Sequence, residues 1–177
     1  MTDRPIMLRP PQIVAILASR QTSIRVLASH PVADCQPRDR LWVRESVTAA
    51  LEPGTKRRGV QYLADDTGKL IPDLFEYDRK WEKLHAYGKG EGKTVPARHM
   101  PKWASRLTLT VHDVVEQRLH DVTEADIIDE GVSPDHPQLR AVFARRWDET
   151  APTGSKWTDN PAIAAISFTP ALMSIGA

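Results

Sequence analysis

The sequence has a single cysteine, Cys35, in 177 residues. No internal disulfide can form, and a reducing compartment is expected. No run approaches the roughly 18 to 20 apolar residues of a membrane-spanning helix, so a water-soluble, cytoplasmic protein without a membrane partner is expected. The start, Met1-Thr2-Asp3-Arg4-Pro5, leads into an apolar stretch broken by Arg9, Pro10 and Pro11. It lacks the apolar core and cleavage site of a signal peptide. An excess of one charge is missing too, since 24 Lys and Arg face 23 Asp and Glu. The histidines at 30, 85, 99, 112, 120 and 136 include no i, i+3 or i, i+4 pair. With one cysteine beside them, no metal site is expected. Gly92-Lys93-Thr94 lacks the glycine five places earlier that a phosphate loop requires; Tyr87 stands there. No glycine-flanked nucleophile turn supports a Ser-His-Asp triad, and no cofactor is expected.

What is present is an uneven charge distribution. Residues 1–45 carry seven basic side chains against four acidic ones, whereas 121–135 carry six acidic side chains and no Lys or Arg. Such polarity permits one anion-binding face on a nearly neutral chain, although ordinary solvated charge gives the same pattern. The length and the 41% hydrophobic content fit one domain over 1–177, with a variable insertion at about 46–97.

Pro10-Pro11 before Ile13, Val14, Ile16 and Leu17 predicts a short helix, because proline is tolerated in a first turn and these apolar positions share a face. A polar segment should follow through Arg25. Arg40 to Glu45 alternates as a strand, with Arg44 and Glu45 on opposite faces and Trp42 on that of Arg44. Residues 46–97 read as loop-rich, with a short strand at Gln61 to Ala64 and a helical turn or linker at Asp78 to Leu84. Leu107, Leu109 and Val111 alternate with Thr108 and Thr110, a strong strand disturbed at His112-Asp113. Thr123 to Asp126 has capping-box character, and Gly131 is a stop for the helix it begins. A second helix starts near Gln138, and a last strand covers Ile163 to Phe168. Strands at both ends around helices predict an α+β chain built on a mixed barrel.

The segment Arg98-His99-Met100-Pro101-Lys102-Trp103-Ala104-Ser105-Arg106 places three cations, an imidazole and an indole before the strongest strand. Single-stranded RNA requires charge for phosphate and a flat face for a base, which these residue types supply. The alternative is a core tryptophan beside solvated cations.

His99 to Arg106 resembles the HMPRWASR signature of phage-borne ASCH-like proteins, and three further blocks agree in order and spacing. Pro37 to Glu45 is similar to their PGDRLWVRE strand. Leu119 to Asp126 with Glu130-Gly131-Val132 is similar to their LQDISEEDA and EGV helix. Phe143 to Asp148, then Trp157, Asn160 and Pro161, is similar to their FxxLWD and WxxNP ending. The resemblance implies a PUA-like mixed β-barrel with peripheral helices and a basic cleft that binds RNA, a nucleotide or a modified nucleoside.

Some ASCH members are amidohydrolases acting on acetylated cytidine, and others are described as ribonucleases. The family pattern after the first helix reads approximately G-x-K-x-x-[ET]-x-R. The aligned residues here include Ser19, Gln21, Ile24 and Val26, with Arg25 as the neighbouring cation. Lysine and threonine of the amidohydrolase pattern are therefore replaced by Gln21, which does not titrate, and Ile24, which has no nucleophilic oxygen. Binding survives these replacements better than catalysis does.

The binding candidates are Arg25, Arg44, His99, Lys102, Trp103 and Arg106. Glu45 is the candidate catalytic carboxylate and Thr22 a secondary nucleophile candidate. Glu45 can equally be a buried partner of Arg25 or Arg106 that braces the fold. Three readings follow: an RNA or nucleotide binder, a nucleoside hydrolase or ribonuclease using Glu45, and a phage accessory module that binds protein alone.

Overall fold

The computed structural model describes residues 1–173. In chain order the elements are β1 (Asp3–Met7), α1 (Pro10–Leu17), β2 (Ser23–Leu27), β3 (Arg40–Arg44), β4 (Val47–Leu51), β5 (Arg58–Tyr62) and β6 (Thr67–Leu70). They continue with α2 (Phe75–His85), β7 (Thr94–Val95), β8 (Leu107–Arg118), α3 (Glu124–Asp129), α4 (Leu139–Asp148) and β9 (Ala162–Leu172). One sheet has the order β1-β3-β8-β9-β2 and the other β6-β5-β4-β7. The α+β class is as expected; among the described residues the strands form two sheets that are not closed on themselves, each ending in two edge strands. No helix among these residues is long and apolar enough to cross a membrane.

The chain divides into two compact units. The first comprises Met1–Arg4, Ala15–Arg40 and Leu109–Pro170. The segment expected to be polar through Arg25 is instead β2, antiparallel to β9 from Ser23↔Ser167 to Leu27↔Ile163. Pairing and burial of Ile24, 1% exposed, override the polar composition. Thr123 caps α3: its hydroxyl accepts the Asp126 N–H, and Asp126 reaches back to the Thr123 N–H. Gly131 ends that helix region with φ +80°, where only glycine is unstrained. Leu119, Val122, Ile127, Leu139, Phe143 and Ile163 form the apolar cluster beneath α3 and α4. Each large side chain so buried contributes about 1.5–3 kcal/mol.

The second unit comprises Pro5–Val14, Leu41–Thr108 and, among the described residues, 171–173. Residues 46–97 are more regular than their turn-rich sequence predicts. β4 pairs antiparallel with β5 and with β7, and β5 with β6 across the turn at residues 63–66. The expected helical turn is an 11-residue helix, α2. Its buried side chains, Tyr77, Trp81 and Leu84, recur at i, i+4 and i+7 and pack with Val60, Tyr62 and Val95. Glu76 and Asp78 in the first turn and Lys83 and His85 in the last complement the helix dipole. The Trp81 indole N–H donates to the Gly59 carbonyl at 2.7 Å, and Arg58 pairs with Asp78 at 2.6 Å and Glu82 at 3.3 Å. These contacts fix α2 against β5.

Candidate functional site

Two prolines shape the segment that sequence analysis singled out. Pro96 and Pro101 are extended, with ψ near 150°, and each leads into a single tight helical turn. The His99 N–H donates to Pro96 O at 2.9 Å, and the Ala104 N–H to Pro101 O at 3.1 Å. The turns alternate what they bury. Met100 and Ala104 enter the core, and the Ser105 hydroxyl donates to Val43 O at 2.9 Å. His99 and Lys102 remain exposed, while Trp103 is half-buried and packs on the core edge.

Between these turns and α2 lies an open groove of about 220 Å³. Leu84, Val95, Pro101 and the rings of Tyr87 and Trp103 line its apolar part. Lys80 and Lys83 of α2 and His99 of the opposite bank supply its polar groups. Lys80, Lys83 and Leu84 share one helix face by their spacing. The Tyr77 ring meets Trp103 edge-on, with centroids 6.4 Å apart and planes at 67°. On the other side, Tyr87 and His99 lie 5.7 Å apart. The Arg98 Nε–H donates to His99 Nε2 at 3.0 Å, which leaves the proton of the neutral imidazole on Nδ1. Lys80 lies 4.4 Å from the Tyr77 ring centroid and 3.7 Å from Glu76.

Glu45 and Arg106 meet in the same unit, away from solvent. Arg106 Nε and Nη2 donate to the two Glu45 oxygens at 2.8 Å each. Its Nη1 donates to Asp65 at 2.9 Å and to Thr67 Oγ1 at 2.7 Å, and its guanidinium carbon lies 4.1 Å from the Tyr62 ring centroid. Side-chain exposure is 7% for Arg106 and 2% for Glu45. Burial raises the Glu45 carboxyl above its ordinary value, although Arg106 pulls it down. At Asp65 burial is outweighed by hydrogen bonds from Arg106 and Thr67, and the carboxyl lies below its ordinary value. Bidentate geometry and satisfied donors make this a brace.

The remaining sequence candidates are placed as follows. Arg25 on β2 holds Asp126 at 2.9 Å and Glu130 at 2.7 Å, with its side chain 2% exposed. Burial pushes the Glu130 carboxyl up to about 7 against the pull of Arg25. Thr22 is exposed; its N–H donates to Asp129 O at 2.8 Å and its carbonyl accepts from Phe168 at 3.0 Å. Gln21 is buried and donates to Ser23 O at 2.9 Å, and Ile24 is core. Arg44 is half-buried, 4.7 Å from the Trp42 ring centroid. His99 and Trp103 are thus the sequence candidates that line the groove. Tyr87, Lys80 and Lys83 were missed, and the Tyr77, Trp81 and Leu84 spacing was the signal that could have placed the two lysines on a helix. No group of three or more His, Cys, Asp or Glu among the described residues is arranged to hold a metal ion.

No family model matches this chain, and no curated protein matches it. A solved structure, the ASCH domain from Lactobacillus crispatus JV V101, is similar at a TM-score of 0.44 and 11% identity. The match covers 97% of this chain and 81% of that one.

Chemically, the groove offers apolar flat surface with hydrogen-bond donors and positive charge at its rim. The lining residues include no carboxylate. Its complement is a ligand with a planar, weakly polar part and an anionic part.

Proposed function

We propose that this chain binds RNA or a nucleotide in the groove between α2 and the turns at residues 97–104. The observation that carries the reading is the lining: Trp103 and Tyr87 with Lys80, Lys83 and His99. An aromatic face takes a base in a sequence-tolerant way, and ammonium groups take the phosphate. Arg25 and Arg106 serve this reading indirectly, as braces of their own units, because their guanidinium groups are committed to carboxylates. Hydrolysis through Glu45 is disfavoured by the same fact: both of its oxygens accept from Arg106.

Fluorescence anisotropy with labelled single-stranded RNA, over a series of salt concentrations, tests the proposal. Affinity should fall as salt rises. Trp103→Leu, which keeps apolar volume without an aromatic face, should weaken binding by about 1–3 kcal/mol. Lys83→Gln should lower the salt slope by about one. If RNA, single-stranded DNA and nucleotides all fail to bind at low salt, the reading is wrong, and a protein-only interaction module takes its place.

A further inference from the structure

Resting on that reading, we infer that the groove takes one unpaired, phosphorylated nucleotide without selecting which base it carries. Base identity is read by side chains that present a fixed donor and acceptor pattern to a base edge, as Asn, Gln, Asp and Glu do. None of these lines the groove.

The polar atoms that do line it discriminate poorly. Lys83 ends in an ammonium group that donates to any acceptor, and Lys80, already beside Glu76 and the Tyr77 ring, adds charge and no base-specific pattern. The Tyr87 hydroxyl donates or accepts with equal ease. His99 offers a single Nδ1–H, since its Nε2 already accepts from Arg98. Two backbone acceptors that could have read an amino group are engaged. The Pro101 carbonyl accepts the Ala104 N–H at 3.1 Å, and the Tyr87 carbonyl accepts the Gly90 N–H at 3.3 Å. Every base has an aromatic face, so Trp103 and Tyr87 serve all of them alike.

The same geometry disfavours a duplex. Bases in a helix are stacked on one another, and their faces reach Trp103 only after one is turned out, at a cost of a few stacking interactions. Lys83 on α2 and His99 on the opposite bank flank the apolar lining, so phosphate meets charge beside the stacked base.

The experiment compares labelled rU, rA, rC and dT oligonucleotides of about ten nucleotides with an RNA duplex of equal length. All are measured at one low salt concentration with the full chain. The single strands should bind within about threefold of one another, and the duplex at least roughly tenfold more weakly. Trp103→Leu should weaken all four single strands by a common factor. AMP and UMP, added as competitors, separate the two sources of this chemistry. Equal displacement by both assigns a free nucleotide, and displacement by neither assigns a strand. Displacement by only one of them overturns the inference. So does a homopolymer preference beyond about tenfold, or a duplex bound as tightly as the strands, while the RNA reading itself stands. Absence of binding by every oligonucleotide and nucleotide removes both.

Discussion

A single guanidinium, that of Arg106, holds both carboxylate oxygens of Glu45 at 2.8 Å, with the two side chains almost wholly withdrawn from solvent. The pair ties the end of β3 to the residue before β8. Its asymmetry under substitution is the informative property. Arg106→Met removes the cation and leaves a buried carboxylate, which should cost about 3–5 kcal/mol. Glu45→Met leaves Arg106 with Asp65 and Thr67, so the loss should be smaller. The double replacement should recover part of the Arg106→Met loss, because two apolar chains need no partner. Thermal denaturation followed by circular dichroism measures all three. A wild-type midpoint for Arg106→Met would show that the brace carries no stability.

Glu130 makes a second prediction, through pH. Its carboxyl lies at about 7 in the fold, against an ordinary 4.5. A group whose folded pKa is raised holds its proton in the native state while the unfolded chain has lost it. Stability contributed this way is fully present below about pH 4.5 and is lost as pH rises to about 7. Glu45, also raised, acts in the same direction. Asp126, where hydrogen bonds from Thr123 and Arg25 outweigh burial, lies below its ordinary 3.8 and acts oppositely only in stronger acid. The urea midpoint should therefore decline across that interval, and Glu130→Gln should flatten the decline. An unchanged slope in Glu130→Gln would assign the pH dependence elsewhere.

What was legible in the sequence was local and periodic. Pro10 and Pro11 before Ile13 and Ile16 marked the existence and start of α1, which ends at Leu17, and Thr123 with Asp126 marked the cap of α3. The alternation at Leu107 to Val111 located β8 but not its extension to Arg118, where side chains lose the buried-exposed pattern. β2 was hidden because Ser23 and Arg25 are polar and only the distant β9 explains their pairing. β4 carries Ala49 and Ala50, and β6 carries Gly68, residues with little strand preference of their own. α2 starts after Leu74, which has no capping side chain, so Glu76 and Asp78 in the first turn were left to mark its start without a cap. At the site, His99 and Trp103 were visible as residue types beside a strand. Their counterparts on α2 were not, because the groove is formed by residues that tertiary packing brings together.

Gly131 makes a third prediction. Its φ is +80°, and a Cβ there would lie 3.2 Å from the Ala15 Cβ and 3.4 Å from that of Gln21. Gly131→Ala therefore meets both an unfavourable backbone region and close neighbours, and should cost more than about 1 kcal/mol. Gly54, with φ +85° and open space around it, isolates the backbone part of that cost. Gly54→Ala should destabilise less than Gly131→Ala in the same denaturation assay. Equal losses would mean that the contacts with Ala15 and Gln21 are relieved by small shifts.

The fourth prediction concerns the support of the groove. Gly59 lies on β5, where an added Cβ would come 2.9 Å from the Lys69 carbonyl of β6, and its own carbonyl accepts the Trp81 indole N–H. Backbone cannot rotate aside as a side chain can, so Gly59→Ala should spread β5 from β6 and displace the acceptor that holds α2. Trp81→Phe removes the same hydrogen bond while leaving the strand pairing of β5 untouched, and should cost about 0.5–1.5 kcal/mol through the lost bond. Hydrogen exchange distinguishes the two. Trp81→Phe should speed exchange along α2 alone, whereas Gly59→Ala should also speed it in β5 and β6. Because Lys80 and Lys83 ride on α2, both variants should weaken RNA binding even though neither residue lines the groove. Unchanged affinity with faster exchange along α2 would show that ligand binding does not depend on where that helix rests.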